Sequence, residues 1–379
     1  MQNFGRLILT LVLTIFLNTG FAQDFLKNEL HIGKNYVLLA HPTVQNLETI
    51  QFLLNNHILQ LSDVEFVGVY SAAEKYDYTQ SINRIKKSEM NRFHLQRVDG
   101  EENQSKIFHE NEWTKTFRSL FDHSVGIFFF GGPDIQPEIY GQKNLYSEVT
   151  DPNRHLFELS FIFHLLGGSQ NKDFTPFMKD KPGYFVTGFC LGLQSINVAT
   201  GGTLTQDIPA QTYKKKNAEE TLKLKKEQLH RNYWQETSPD TLLMGTNFHV
   251  IQFTAHPFFL ETVKVQKAFN PNILSSHHQA IYELGKDIIV TATSLDGQVI
   301  EGIHHRLYPN VFAVQFHPEV PALYQDGKKL KFAPSDVPKS YFENLTDADR
   351  EFHRKYWIAI SKAIKSSIEM KNNKSPFTH

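Results

Sequence analysis

GYFVTGFCLGLQSINVATGG, residues 183–202, decides how the chain is built. Gly183 to Thr187 reads as a short strand, Cys190 to Thr200 as a helix, and Gly201-Gly202 closes that helix. Gly188, Cys190 and Gly192 form a G-x-C-x-G turn between them. A sharp strand-to-helix turn of this kind presents its central side chain above the end of a sheet, and small flanking residues let strand and helix approach closely. A thiol placed there sits at a helix N-terminus, where the macrodipole favours the thiolate. The N–H of Leu191 then becomes a donor for an oxyanion. With 21 glycines in 379 residues, glycine at both flanks of one given residue has a chance frequency of about 0.3%. Cys190 is therefore read as a nucleophile, against the alternative of a buried structural cysteine.

Outward from this stretch the chain alternates strand and helix. Val125 to Phe130, VGIFFF, is a continuous apolar run that stops at Gly131-Gly132-Pro133, as expected of a strand buried on both faces of a parallel sheet. Asp151-Pro152 opens a helix through Leu156, Leu159, Phe163 and Leu166 that ends at Gly167-Gly168. Further upstream, Tyr36–Ala40, Val64–Tyr70 and Phe93–Val98 read as strands, and Leu47–Leu61 has helical spacing. The pattern predicts an α/β fold, a flavodoxin-like, doubly wound, mostly parallel sheet with helices on both faces. The expected organisation is one large domain over 23–379. It carries an insertion near 211–250, basic from Lys214 to Arg231 and read as solvated, with a lid as the functional alternative. A C-terminal helix over 347–371 starts at Thr346-x-x-Asp349, and Phe352, Tyr356, Ile360, Ile364 and Ile368 recur along it at a spacing that buries one face.

Composition narrows the function. The chain is 40% hydrophobic and 21% charged, which excludes wholesale disorder. Lys+Arg at 39 against Asp+Glu at 40 gives no electrostatic reason to expect a nucleic acid as partner. A single cysteine excludes an intramolecular disulfide and any C-x-x-C pair. Arg6, the apolar run Leu7–Leu17 and the small pair Gly20 and Ala22 read as a secretory signal over 1–22, cut before Gln23. The run is too short to cross a bilayer, which needs about 20 residues. The mature protein is expected to be exported, periplasmic or secreted, with no membrane span after signal removal.

A cysteine nucleophile needs a base, and the base an orienter. Val311–Phe316 reads as a strand that ends at His317-Pro318-Glu319. Residues two apart project to one side of an extended chain, so Glu319 is placed to hold one ring nitrogen of His317 while the other faces the thiol. Ligands of parallel sheets bind at the carboxyl ends of the strands, where Cys190, His317 and the Gly131-Gly132 turn all fall. Backbone N–H groups of that turn are suited to be further oxyanion donors.

Together these segments resemble class I glutamine amidotransferase domains and, more narrowly, the γ-glutamyl hydrolase group of peptidase family C26, which includes γ-glutamyl-γ-aminobutyrate hydrolases. The resemblance rests on FFFGGPDIQPEIYG (128–141), DPNRHLFELSFI (151–162), GFCLGLQSINVATGGTLTQDI (188–208), ILSSHHQAI (273–281), EGIHH (301–305) and AVQFHPE (313–319). It implies a triad of Cys190, His317 and Glu319, oxyanion donors at Gly132 and Leu191 beside Gly131, and a glutamyl group near Gln194, His277 and His278. It also implies hydrolysis of a small γ-glutamyl substrate with no cofactor. The sequence departs from the group at Leu191, where arginine is frequent, and at His155, where aspartate is frequent. An amidotransferase subunit and a non-catalytic γ-glutamyl binding protein stay open as other readings. The 18 histidines include the pairs His277-His278 and His304-His305. Adjacent residues seldom ligate one ion and no H-E-x-x-H occurs, so no metal site is expected.

Overall fold

The computed structural model describes residues 24–28, 30, 33–88 and 90–373, so the signal read at 1–22 lies outside the described residues. Among the described residues twelve strands follow one another: β1 (Asn35–Ala40), β2 (Val64–Ser71), β3 (Phe93–Val98), β4 (Gly126–Phe129), β5 (Phe185–Phe189), β6 (Leu204–Thr205), β7 (Asn247–Phe253), β8 (Asn272–Ser275), β9 (Ala280–Ile281), β10 (Ile288–Ser294), β11 (Ile300–His305) and β12 (Val311–Val314). The helices are α1 (Phe25–Asn28), α2 (Val44–Asn55), α3 (Thr79–Lys87), α4 (Thr114–His123), α5 (Pro152–Leu166), α6 (Leu191–Ala199), α7 (Ala218–Thr221), α8 (Trp234–Thr237) and α9 (Asp347–Asn373).

Ten strands form one sheet in the order β3-β2-β1-β4-β5-β12-β11-β10-β7-β8. The run from β3 to β12 is parallel throughout. Without the edge strand β3 its order is that of the flavodoxin sheet, and the direction of winding reverses between β1 and β4. Strands of this half are apolar on both sides because both sides are covered. Val37, Leu39, Phe128, Phe185 and Phe189 share one core with Leu47, Ile50 and Leu53 of α2 and with Phe352, Tyr356, Trp357 and Ile360 of α9. Leu38, Ile127, Phe129 and Val186 face the other core, with Phe117 and Phe121 of α4, Phe157 and Phe161 of α5 and Ile196 of α6. Helix starts follow the sequence. Asp151 caps α5 by accepting from Arg154 N–H, with Pro152 in the first turn. Thr346 and Asp349 cap α9 reciprocally, each side chain accepting the other's backbone N–H at 3.2 and 2.9 Å.

The other half of the sheet is antiparallel, through β11, β10, β7 and β8. It curls back, so that Leu274 O in the edge strand β8 accepts from His317 N–H just beyond β12 at 2.9 Å. The insertion expected near 211–250 is built from a π-turn, α7 and α8, and its last residues already belong to β7. The segment is not uniformly solvated: Thr221, Leu229, His230, Asn232 and Tyr233 are buried. Among the described residues no helix is long and apolar enough to cross a membrane.

Candidate active site

Cys190 stands between β5 and α6 with φ 53° and ψ −106°, a left-handed backbone for a non-glycine residue. Such a conformation costs about 1–3 kcal/mol and is held here by close packing on both sides. A Cβ on Gly188 would lie 2.4 Å from the carbonyl carbon of Gly192, and one on Gly192 would lie 2.2 Å from the carbonyl oxygen of Phe129. Only glycine lets β5, α6 and β4 meet this closely. The register of β12 on β5 pairs Val314 with Phe189, and Cys190 N–H donates to Val314 O at 3.0 Å. The residues following the two strands are thereby brought side by side.

His317 is one of these residues. Its Nδ1 lies 2.7 Å from Glu319 Oε1. The backbone of the turn is clamped, since Pro318 O accepts from Tyr324 Oη at 2.5 Å and Trp357 Nε1 at 2.9 Å. Burial pulls the His317 pKa down, but the Glu319 carboxylate and the Cys190 sulfur beside it outweigh burial and hold it well above the ordinary value. The imidazole and the Cys190 side chain border the same cavity. A Cβ on Gly131 would lie 3.2 Å from His317 Cε1 and 3.6 Å from Cys190 Cβ, so the Gly131-Gly132 turn closes over the pair.

Arg154 of α5 shapes that turn. Its Nη2 donates to Gly131 O at 3.3 Å and, weakly, to Phe130 O at 3.5 Å. In a trans peptide the N–H lies opposite the carbonyl, so Gly132 N–H points away from the guanidinium. A Cβ on Gly132 would lie 2.5 Å from Arg154 Nη1, which is why the side chain fits there only over a glycine. Leu191 opens α6, and its N–H is one of the first four in the helix, which find no acceptor within it.

A cavity of about 850 Å³ is lined by residues that include Gly131, Gly132, Arg154, Cys190, Ser276, His317 and Glu319. Sequence reasoning missed its far wall. His41, at the end of β1, has φ 52° and is buried, with Nδ1 2.7 Å from Glu74 Oε2 and Nε2 2.8 Å from Glu158 Oε2. Burial lowers the His41 pKa, but Glu74 and Glu158 raise it further, so the net shift is upward. Burial works against the charge of Glu158, yet Arg154 and His41 hold its carboxyl down to about 2. The signal available for His41 was its place at the end of a strand bordering the reversal of winding, where such sheets bind ligands.

Three residues expected near a substrate stand back from the cavity. Gln194 is buried in α6 and donates to Gln279 O and Gln315 Oε1, both at 3.2 Å. His278 bridges Asp134 at 3.0 Å and Asp207 at 3.3 Å. Burial disfavours its charge, but the two carboxylates raise its pKa to about 9. His277 lies in a buried group with His230, His249 and Glu301, whose ligand atoms all lie within 4.8 Å of one another. From the ILSSHHQAI segment it is Leu274 and Ser276 that reach the cavity wall.

The profile of the Peptidase C26 family matches residues 65–319, and the chain belongs to that family. Membership carries hydrolase or amidotransferase-type chemistry. Among curated relatives, a "Putative glutamine amidotransferase-like protein" of Rickettsia prowazekii is 30% identical over 229 residues, covering 54% of this chain and 73% of its own. The "Putative glutamine amidotransferase-like protein YvdE" of Lactococcus lactis is 30% identical over 212 residues, covering 55% of this chain and 71% of its own. "Protein NtpR" of Enterococcus hirae is 30% identical over 210 residues, covering 54% and 71%.

Proposed function

We propose that the chain is an exported cysteine hydrolase that cleaves γ-glutamyl amide bonds through a γ-glutamyl thioester on Cys190. The observation that carries this reading is the 2.7 Å contact of His317 Nδ1 with Glu319 Oε1, made where the same imidazole meets Cys190 in the cavity wall. The Cys190 thiolate adds to the γ-carbonyl carbon, and the N–H groups of Leu191 and Gly132 take the oxyanion. The His317 imidazolium passes its proton to the leaving amine as the C–N bond breaks. The neutral imidazole next takes a proton from water, whose oxygen attacks the thioester and releases glutamate and the thiolate. Glu319 keeps the Nδ1 tautomer and stabilises the imidazolium in both halves. Arg154 offers a counter-charge for the α-carboxylate of the glutamyl group, since it lines the cavity and its Nη1 has no partner among the described residues. Export rests on the pattern over residues 1–22, and N-terminal sequencing of protein from the native host should read from Gln23.

The test of the chemistry is glutamate release from a panel of γ-glutamyl amides, free glutamine and poly-γ-glutamates. At least one γ-glutamyl amide should be turned over by the wild type and none by Cys190→Ala. Turnover of free glutamine alone would move the reading to a glutaminase. Glutamate release that survives Cys190→Ala would sink it.

A further inference from the structure

Four side chains remote in sequence converge behind the cavity wall. His230 comes from the insertion, His249 from β7, His277 from the turn after β8 and Glu301 from β11. One ligand atom from each lies within 4.8 Å of all the others, and none of the four residues is more than 4% exposed. His230 Nδ1, His249 Nε2 and His277 Nε2 stand 3.1, 3.6 and 3.9 Å from Glu301 Oε1. Ligands about 2.0–2.1 Å from a tetrahedral ion are about 3.3 Å apart, so the three spacings to Glu301 already lie close to that value, and the wider ones, up to 4.8 Å, close by side-chain adjustment.

The outer ring nitrogens show which way the lone pairs point. Nδ1 of His277 is hydrogen-bonded to Gln279 O at 2.7 Å, and Nδ1 of His249 faces Val250 O at 3.4 Å. A carbonyl only accepts, so each Nδ1 carries the proton and each Nε2 turns a lone pair inward. Those two Nε2 atoms, both nitrogens of His230 and both oxygens of Glu301 have no hydrogen-bond partner among the described residues. Several acceptors therefore face one another in a place shielded from bulk solvent. Leaving such groups unpaired is costly, most of all for a charged one. A single proton satisfies two acceptors, whereas a divalent cation satisfies all four.

We propose that His230, His249, His277 and Glu301 bind one divalent cation of the zinc type in a closed, four-coordinate site. Three imidazoles and a carboxylate suit Zn²⁺, and full burial without an open position marks a structural rather than a catalytic ion. The ion would tie the insertion, β7 and β11 to the turn that carries Ser276. Hydrogen bonds already follow that route, with Ser275 Oγ donating to His230 O at 2.6 Å and His277 N–H donating to the same oxygen at 3.0 Å.

The experiment is metal counting on the full chain with Cys190 blocked by iodoacetamide, after unfolding in chelator and refolding in excess Zn²⁺. About one zinc per chain should survive gel filtration, with a higher melting temperature than the zinc-free protein, and Co²⁺ should give the intense visible bands of a tetrahedral ion. Glu301→Gln and His230→Ala should each lower the retained zinc by about tenfold or more, while His256→Ala, outside the group, should retain it. Because a variant can fail to fold, zinc-edge absorption on the wild type supplies a second measurement, and should report a nitrogen and oxygen shell dominated by imidazole. Less than about a tenth of an equivalent on the refolded wild type would overturn the proposal. So would one equivalent that both cluster variants keep. None of these readouts depends on hydrolase activity.

Discussion

Replacing Glu319 with glutamine isolates the charge behind His317. Glu319 Oε1 accepts from Nδ1 at 2.7 Å, and Oε2 is buried with no partner among the described residues. The amide keeps an acceptor for the Nδ1 proton, so the ring stays oriented while the negative charge is lost. A hydrogen bond to a charged group contributes about 1.5–3 kcal/mol and a neutral one about 0.5–1.5. The difference, about 1–2 kcal/mol, slows turnover about 5- to 30-fold. If the amide turns its NH₂ toward the ring, the tautomer inverts and the loss extends to about 10⁴-fold, as in other triads. The carboxylate is among the groups that hold the His317 pKa well above its ordinary value against burial, so its removal lowers that pKa. Less imidazolium then stands beside the sulfur around neutral pH, and alkylation of Cys190 by iodoacetamide slows in parallel with kcat. The assays are initial rates on the best γ-glutamyl amide across pH and the alkylation rate followed by intact mass. Full kcat together with unchanged alkylation in Glu319→Gln would refute the reasoning. A collapse in Glu74→Gln instead would move the orienting role to the far wall.

Two further outcomes are expected. Gly188→Ala pushes a methyl group to 2.4 Å from the backbone of Gly192, where nothing flexible can yield, and should lower stability in urea by about 1–3 kcal/mol or more; an unchanged midpoint would mean that the elbow is looser than this packing requires. Acid should unfold the protein early. Burial presses the pKa of His155 down to about 3 and those of His164 and His353 down to about 4. These folded-state values lie below the unfolded value near 6.5, so below that pH the unfolded chain binds more protons. Stability present at neutral pH is then lost as pH falls from about 6.5 toward 4, by roughly 1 kcal/mol per pH unit for each histidine. Thermal melts across that range should show a steep limb, shallower in His353→Gln, and a flat profile would contradict it.

What the sequence made legible follows from how each half of the sheet is covered. Strands buried on two faces must be apolar at successive positions, and Tyr36–Ala40, Val64–Tyr70, Phe93–Val98 and Val125–Phe130 each match a strand of the parallel half to within about two residues. The strand read at Gly183–Thr187 falls two residues early, because β5 continues to Phe189, right up to the elbow. The antiparallel half was not legible. Its strands carry polar residues at buried positions, as in Asn247 and His249 of β7 or Glu301 and His305 of β11, so their pattern does not stand out from a loop. The site was legible where it hangs on one short stretch, at Cys190 or at His317 and Glu319. It was not legible where folding joins distant chain, as His41 with Glu74 and Glu158, or His230 with Glu301. Resemblance suggested Gln194 and His277 for the substrate wall, yet both side chains turn inward to carbonyls and to Glu301.

Strand β12 belongs to both halves, and this decides what the imidazole position depends on. On one side Val314 O accepts from Cys190 N–H, which ties the strand to the thiol. On the other, Gln315 N–H donates to Glu301 O at 3.0 Å, and His317 N–H donates to Leu274 O at 2.9 Å. Glu301 and His277, three residues beyond Leu274, are two of the four side chains proposed to share a cation. An ion joining them would fix β11 and the end of β8 together, the two segments that grip the backbone just before His317 from either side. Arg154, His41 and Glu74 reach the cavity from the parallel half and have no part in that grip. Loss of the ion should therefore loosen the imidazole against the thiol while leaving the charged wall in place. In kinetic terms that is a fall in kcat with KM little changed, the pattern of an interaction made in the transition state rather than in the bound ground state.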